Sequence, residues 1–254
     1  MLELNAREYG EGKPLVILHG LFGSSDNWQS LAQRFAAFYR VFCVDLRNHG
    51  RSPWSEEHRY EDMMDDVYAF IEEQQLTDVI LLGHSMGGKV AMHFAQNYPH
   101  MLSKLVVADM GVKAYPMHHQ QILAGIHALH LDSISARSEA ESILKTYVEN
   151  DGIRQFLLKN LYWIKKGKLA WRMNVAVLER EMPNILAALP EKESWTPTLF
   201  LRGELSNYIL PEDLDEIEAR FPDAAIETIP NAGHWLHAEQ ADLFFDAVMS
   251  FCLR

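Results

Sequence analysis

One stretch constrains this chain more than any other: residues 78–91, Asp-Val-Ile-Leu-Leu-Gly-His-Ser-Met-Gly-Gly-Lys-Val-Ala. Val79 to Leu82 is a short apolar run, β-branched at its start and closed by glycine, which reads as a buried parallel strand. Gly83-His84-Ser85-Met86-Gly87 completes a G-x-S-x-G pattern, and Val90, Ala91, Phe94 and Ala95 then supply the apolar stripe of a helix. Strand, tight turn and helix in that order describe a nucleophile elbow. Small neighbours at Gly83, Gly87 and Gly88 let the helix approach the strand, and the serine hydroxyl is left at the positive end of the helix. The amide of Met86 would then point to where an oxyanion forms. A serine in an ordinary glycine-rich strand-to-helix turn shares the five-residue match, so the rest of the chain must decide.

Repeated strand-then-helix patterns set the class. Strands are expected at Leu2 to Tyr9 on an edge, then at Leu15 to Leu18, Val41 to Val44, Leu105 to Ala108, Thr198 to Leu201 and Ala225 to Ile229. Helices are expected from Asn27 to about Phe38, Tyr60 to Gln74, Leu210 to Phe221 and Glu239 to Leu253. This alternation predicts an α/β fold, a mostly parallel sheet with helices on both faces. Between about Val112 and Trp195 only helical periodicity is expected, rich in His, Met, Trp and Tyr. That segment reads as a helical cap, residues 112–195, inserted into a core formed by 1–111 and 196–254.

Composition narrows the partners. With 48% of 254 residues hydrophobic, a sizeable core is available. Thirty-five acidic against 23 basic residues give a net charge of -12, which argues against nucleic acid or an anionic membrane as the main partner. No apolar stretch is long enough for a membrane span and no leader pattern opens the chain. Only two cysteines occur, Cys43 in a predicted strand and Cys252 in the last helix. They read as inert core residues of a cytoplasmic protein rather than a disulfide.

Further residues gather around the elbow. His19-Gly20-Leu21-Phe22-Gly23 follows the second strand, where glycines let amides turn toward a ligand; Leu21 is the first choice of oxyanion donor and Phe22 the alternative. Asp45-Leu-Arg-Asn-His-Gly-Arg-Ser52 reads as a hydrogen-bonded loop supporting that turn, so Asp45 is not assigned to catalysis. Among 12 histidines, His234 stands out by its place after the final strand, beside Gly233. His84 reads as a structural residue of the elbow and His237 as a surface residue.

In this order, H-G-Φ-x-G, D-x-R-x-x-G-x-S, G-H-S-M-G-G and the late G-H-W resemble the α/β-hydrolase fold family across nearly the whole chain. The wording around His19 and Asp45 looks nearest to the bacterial YbfF-type esterases and related animal abhydrolase-domain proteins. The resemblance implies a helical cap between strands 6 and 7 of that fold, and a serine hydrolase working through an acyl-enzyme. Ser85 would be its nucleophile and His234 its general base and acid. Many members carry an aspartate three residues after the glycine ending the seventh strand, but this chain has Ser206 there. The family's second solution, an acid at the end of the preceding strand, points to Asp109, with Glu204 and Asp213 as competitors. Ser206 either joins a network of Ser85, Asp109, His234 and Ser206 or fills the vacated acid position.

Substrate is expected to be a small acyl ester, or an acyl-CoA thioester met by Lys165, Lys166 and Lys168. Trp163, Tyr162, Trp171 and Trp235 are the leading candidates for substrate contact, with Phe156, Leu161, Met173 and Met182 further candidates in the cap. No cofactor is expected, and His118, His119, His127 and His130 are not read as a metal site. A C–C bond hydrolase or lyase, or a non-catalytic small-ligand receptor, remain the rival readings. Oligomeric state is left open.

Overall fold

The computed structural model of the chain describes residues 1–165 and 167–254. Its main sheet has seven strands: β1 (Ala6–Tyr9), β2 (Pro14–Leu18), β3 (Arg40–Val44), β4 (Val79–His84), β5 (Leu102–Ala108), then β8 (Thr198–Gly203) and β9 (Ala224–Ile229). The spatial order is β1-β3-β2-β4-β5-β8-β9, parallel throughout except for β1, which runs antiparallel on the edge. Alternate residues of the central strands feed opposite faces, so apolar runs are needed on both sides. Val16, Leu18, Leu81 and Val107 join one cluster, with α2 (Tyr60–Glu73) and α3 (Met86–Asn97) packed over them. Leu15, Ile17, Ile80 and Val106 join the other, covered by α1 (Gln29–Phe35) and α11 (Ala241–Cys252).

Between β5 and β8 the chain leaves the sheet. In chain order these are the fifth and sixth of its seven strands, the first running into Asp109 and the second ending at Gly203. The excursion carries α4 (Gln120–Ala128), α5 (Arg137–Leu144), α6 (Asp151–Leu158), α7 (Val175–Arg180) and α8 (Met182–Ile185). Its apolar side chains, among them Leu123, Leu144, Leu157 and Ile185, merge with the cluster on the α2–α3 face. The excursion is not purely helical, as the periodicity suggested. β6 (Leu161–Lys165) and β7 (Lys168–Trp171) pair antiparallel, with Tyr162 opposite Ala170 and Trp163 opposite Leu169. Aromatic and β-branched residues favour this pleated pairing, and Gly167 at φ +80° takes a conformation that other residues rarely adopt. After β8 come α9 (Leu214–Arg220), then β9, α10 (Leu236–Glu239) and α11. Among the described residues no helix is long and apolar enough to cross a membrane.

The parallel order brings the carboxyl ends of β2, β4, β5, β8 and β9 to one edge of the sheet. Gly83 lies beside Leu18 and Val107, and Ala108 beside Leu201. Ligands of open parallel sheets bind at such an edge.

Candidate active site

Ser85 occupies the single residue between β4 and α3, with φ 53° and ψ -120°. Such a backbone is strained for a residue with a side chain, and close packing around it leaves no alternative. A Cβ on Gly83 would stand 2.1 Å from the Gly87 carbonyl oxygen, and one on Gly87 would stand 2.5 Å from the carbonyl oxygens of Leu18 and His19. Glycine at both positions is what allows α3 to start directly against the sheet. Among the described residues the amides of Leu21 and Met86 make no hydrogen bond, whereas the amide of Phe22 donates to His49 Nε2 at 3.2 Å. Of the two donors weighed in the His19–Gly23 turn, Leu21 is thus the one left free.

Ser85 Oγ lies 3.0 Å from His234 Nε2, and His234 Nδ1 lies 2.8 Å from Asp109 Oδ2. Asp109 is fully buried at the end of β5, itself at φ 48°, and its Oδ1 accepts the Gly203 amide at 2.9 Å. The Ser206 hydroxyl donates to Asp109 Oδ2, the oxygen that also faces His234. The structure therefore brings together all four residues singled out by the sequence. Glu204 instead accepts the Asn231 amide at 2.8 Å, and Asp213 pairs with Lys113 at 2.5 Å. The His234 loop is held from below, where His84 Nε2 donates to the His234 carbonyl at 2.8 Å.

Burial acts against charge on both partners of the pair. It pushes the Asp109 carboxyl up, opposed by the Ser206 hydroxyl and the Gly203 amide, and it pushes the His234 imidazole below its ordinary value. A neutral imidazole with one nitrogen on a hydroxyl and the other on a carboxylate can take the hydroxyl proton.

Above Ser85 lies a mostly apolar pocket of about 260 Å³. Gly20, Leu21 and Phe22 form one wall, Ile122, Ile153, Phe156 and Leu157 of the excursion a second, and His84, His118, His119, Tyr208, His234 and Trp235 the rest.

A profile of the alpha/beta hydrolase family matches residues 15–247. The chain belongs to the α/β-hydrolase family. It is 40% identical over 246 residues to the sn-1-specific diacylglycerol lipase ABHD11 of Mus musculus, covering 93% of this chain and 80% of that protein. Esterase YbfF of Escherichia coli is 34% identical over 248 residues, covering 97% and 95%. Among solved structures, one described as a marine microorganism esterase superposes with a TM-score of 0.96 at 41% identity, covering 99% of this chain and all of that one.

Several expectations about this hydrolase need correction. Of the four residues proposed to contact substrate, only Trp235 lines the pocket. Trp163 stands 39% exposed on the β6–β7 hairpin, Tyr162 lies under the Arg172 guanidinium at 4.4 Å, and Trp171 packs against the core. Leu161, Met173 and Met182 are core residues as well, while Phe156 does reach the pocket. The hairpin's pleat, which helical periodicity concealed, turns its aromatics away. Lys165 and Lys168 lie on the same hairpin and do not line the pocket; Lys166 lies outside the described residues. His237 is not on the surface: it is buried and stacked on Trp28, ring centroids 4.3 Å apart. Tyr208, Ile122 and Ile153 line the pocket without having been singled out. Tyr208 is the aromatic residue two positions past Ser206, the only signal that pointed to it.

The polar loop after β3 supports the Leu21 turn. His19 Nδ1 donates to the Gly20 carbonyl and its Nε2 accepts the Leu46 amide at 3.0 Å. Asp45 accepts the amides of Ser25 at 2.6 Å and Arg51 at 2.9 Å, together with the side chain of Asn5 at 2.8 Å. Its two carboxylate oxygens are thereby committed to holding loops together.

Proposed function

We propose that this chain is a serine esterase, with residues 112–195 as a cap over a core of 1–111 and 196–254. The observation that carries the reading is the continuous line from Ser85 Oγ through His234 to Asp109, 3.0 Å and then 2.8 Å. His234 Nε2 takes the proton as Ser85 Oγ bonds to the ester carbonyl carbon. The carbonyl oxygen becomes an oxyanion facing the amides of Leu21 and Met86. Collapse breaks the bond to the leaving alcohol oxygen, which receives the proton from His234. Water, deprotonated by the same imidazole, then attacks the acyl carbon; the bond to Ser85 Oγ breaks, His234 returns the proton to Oγ, and the acid is released. Asp109 holds the imidazole in the tautomer with its proton on Nδ1 and offsets the charge of the imidazolium. Ser206, donating to the same carboxylate oxygen, keeps Asp109 ionised.

An ester substrate is supported by the named activities of the relatives, a lipase and two esterases. Oxygen esters are preferred to coenzyme A thioesters in this reading, because Lys165 and Lys168 lie on the hairpin and not at the pocket. Every step uses only side chains and backbone amides of this chain, the ester and water. The free cysteines, Cys43 buried and Cys252 partly so, fit a reducing compartment such as the cytoplasm.

The test is hydrolysis of a panel of aryl and alkyl esters by the wild type and by Ser85→Ala, with covalent labelling by a fluorophosphonate. Loss of both turnover and label in the variant is the expected result. Turnover that survives in a folded Ser85→Ala protein would overturn the reading. A wild type that is folded but neither labelled nor active would point to a ligand receptor.

A further inference from the structure

Ser85 opens onto two cavities of very different size. The first is the pocket of about 260 Å³, which includes His234. The second, of about 20 Å³, also reaches the serine and is walled chiefly by Met86, Met110, Tyr115, Ile185 and Leu186. Both touch Leu21, Ser85, His119 and Tyr208, but His234 lines only the larger one.

From this asymmetry, and resting on the esterase reading above, we infer that the enzyme selects esters of very short acids, acetyl-sized, with large apolar alcohols. The tetrahedral carbon formed at Ser85 has four bonds, and three directions are assigned by the chemistry. One bond runs to Ser85 Oγ. The oxyanion points to the amides of Leu21 and Met86. The leaving oxygen must face His234 Nε2, because that nitrogen returns the proton as the carbon–oxygen bond breaks. The alcohol therefore occupies the large pocket. The acyl substituent takes the remaining direction, into the small cavity beside Met86.

By this measure of volume a space of roughly 10–15 Å³ holds one water, so about 20 Å³ accepts a methyl group and little more. Its walls are not free surface. Met86, Met110, Ile185 and Leu186 are all buried. The Tyr60 hydroxyl donates to the Ile185 carbonyl at 2.7 Å, and the Tyr115 amide donates to the Leu186 carbonyl at 2.8 Å, which fixes the far wall. Overfilling a packed site forces side chains off their rotamers, so chain length is penalised early. The large pocket, walled by Ile122, Ile153 and Phe156, has room for an aromatic or branched alcohol.

Kinetics on 1-naphthyl acetate, butyrate, hexanoate and octanoate test this, since the alcohol is constant and only the acid grows. The expected kcat/KM is greatest for the acetate and falls on the order of tenfold by the butyrate. Ile185→Ala enlarges the small cavity and should raise the butyrate-to-acetate ratio by about tenfold; Met110→Ala, on a different wall, serves where the first variant folds poorly. Octanoate turned over as well as acetate, with Ser85→Ala inactive, would place the acyl chain in the large pocket and overturn the inference alone. Turnover persisting in Ser85→Ala would instead remove the esterase reading on which it rests.

Discussion

The imidazole of His234 lies against the ring of Tyr208, with centroids 3.7 Å apart and planes 15° from parallel. Tyr208 is held at three further points. Its hydroxyl donates to His118 Nε2 at 2.6 Å, its carbonyl accepts the Tyr115 hydroxyl at 2.8 Å, and its amide donates to Ser206 Oγ at 3.3 Å. In the proposed mechanism His234 takes the Ser85 proton, and a cation then forms over the face of a phenol ring. Such contacts are worth about 0.5–2 kcal/mol, which corresponds to roughly two- to thirty-fold in rate. Tyr208→Leu should lose that factor in kcat, and the acid limb of its pH–rate profile should move lower because the imidazolium has lost a stabilising neighbour. Tyr208→Phe should keep both. Equal losses in the two variants would assign the effect to the hydroxyl.

Asp109 has no exposure to water, so the hydrogen bonds it accepts decide whether it stays ionised. Ser206 and the Gly203 amide both pull its pKa down against the upward push of burial. A hydrogen bond to a charged group contributes about 1.5–3 kcal/mol. Ser206→Ala should lower kcat by about tenfold with little change in KM, since only the imidazolium-bearing transition state needs the full carboxylate charge. Turnover within about twofold of wild type would mean that Ser206 only fills the space an acid would otherwise occupy.

What the sequence disclosed and what it hid follow from how local each constraint is. Ser85 was legible because a strand, three glycines and a helix stripe lie within the seventeen residues from Val79 to Ala95, and close backbone approach demands the glycines. His234 was legible because it follows the last strand, and Asp109 through the resemblance to a family that can carry its acid at that strand end; parallel strands bring both positions to one edge. Tyr208 was missed because its role depends on stacking against a residue 26 positions away, which no periodicity records. Trp163 and Trp171 were misplaced because a five-residue strand against a four-residue one is too short to outweigh the helical pattern on either side. His237 was read as surface because an isolated histidine carries no sign of the Trp28 ring that buries it.

Among the described residues six histidines are buried: His19, His49, His58, His84, His93 and His237. Burial is the first cause of a lowered pKa in each, to about 4 for His58 and His93. The unfolded chain therefore binds more protons than the folded one below about pH 6.5. Their contribution to stability is complete above that value and is lost as pH drops through it, by up to about 1.4 kcal/mol per group for each pH unit. The urea midpoint should drop sharply between pH 6.5 and 5. A midpoint unchanged across that acidic interval would mean these rings are protonated in the fold.

Lys89, fully buried one turn into α3, ties the excursion to the core at both of its ends. Its Nζ donates to the Lys113 carbonyl at 2.8 Å, where the excursion begins, and to the Ala187 carbonyl, near where it closes. The ammonium also lies 5.1 Å from the centroid of Tyr115. Lys89→Met keeps most of the apolar stem and removes the donors, leaving two carbonyls short of a partner at a cost of about 1–3 kcal/mol. The variant should show a lower urea midpoint and faster limited proteolysis within residues 112–195 than elsewhere. Burial lowers the Lys89 pKa from 10.5 to about 7. Between those values the unfolded chain holds more protons, so this group makes wild-type stability rise with pH through that window. Lys89→Met should flatten the rise between pH 7.5 and 9. Unchanged proteolysis together with an unchanged slope would show that the carbonyls find other donors and that Lys89 does not clasp the excursion.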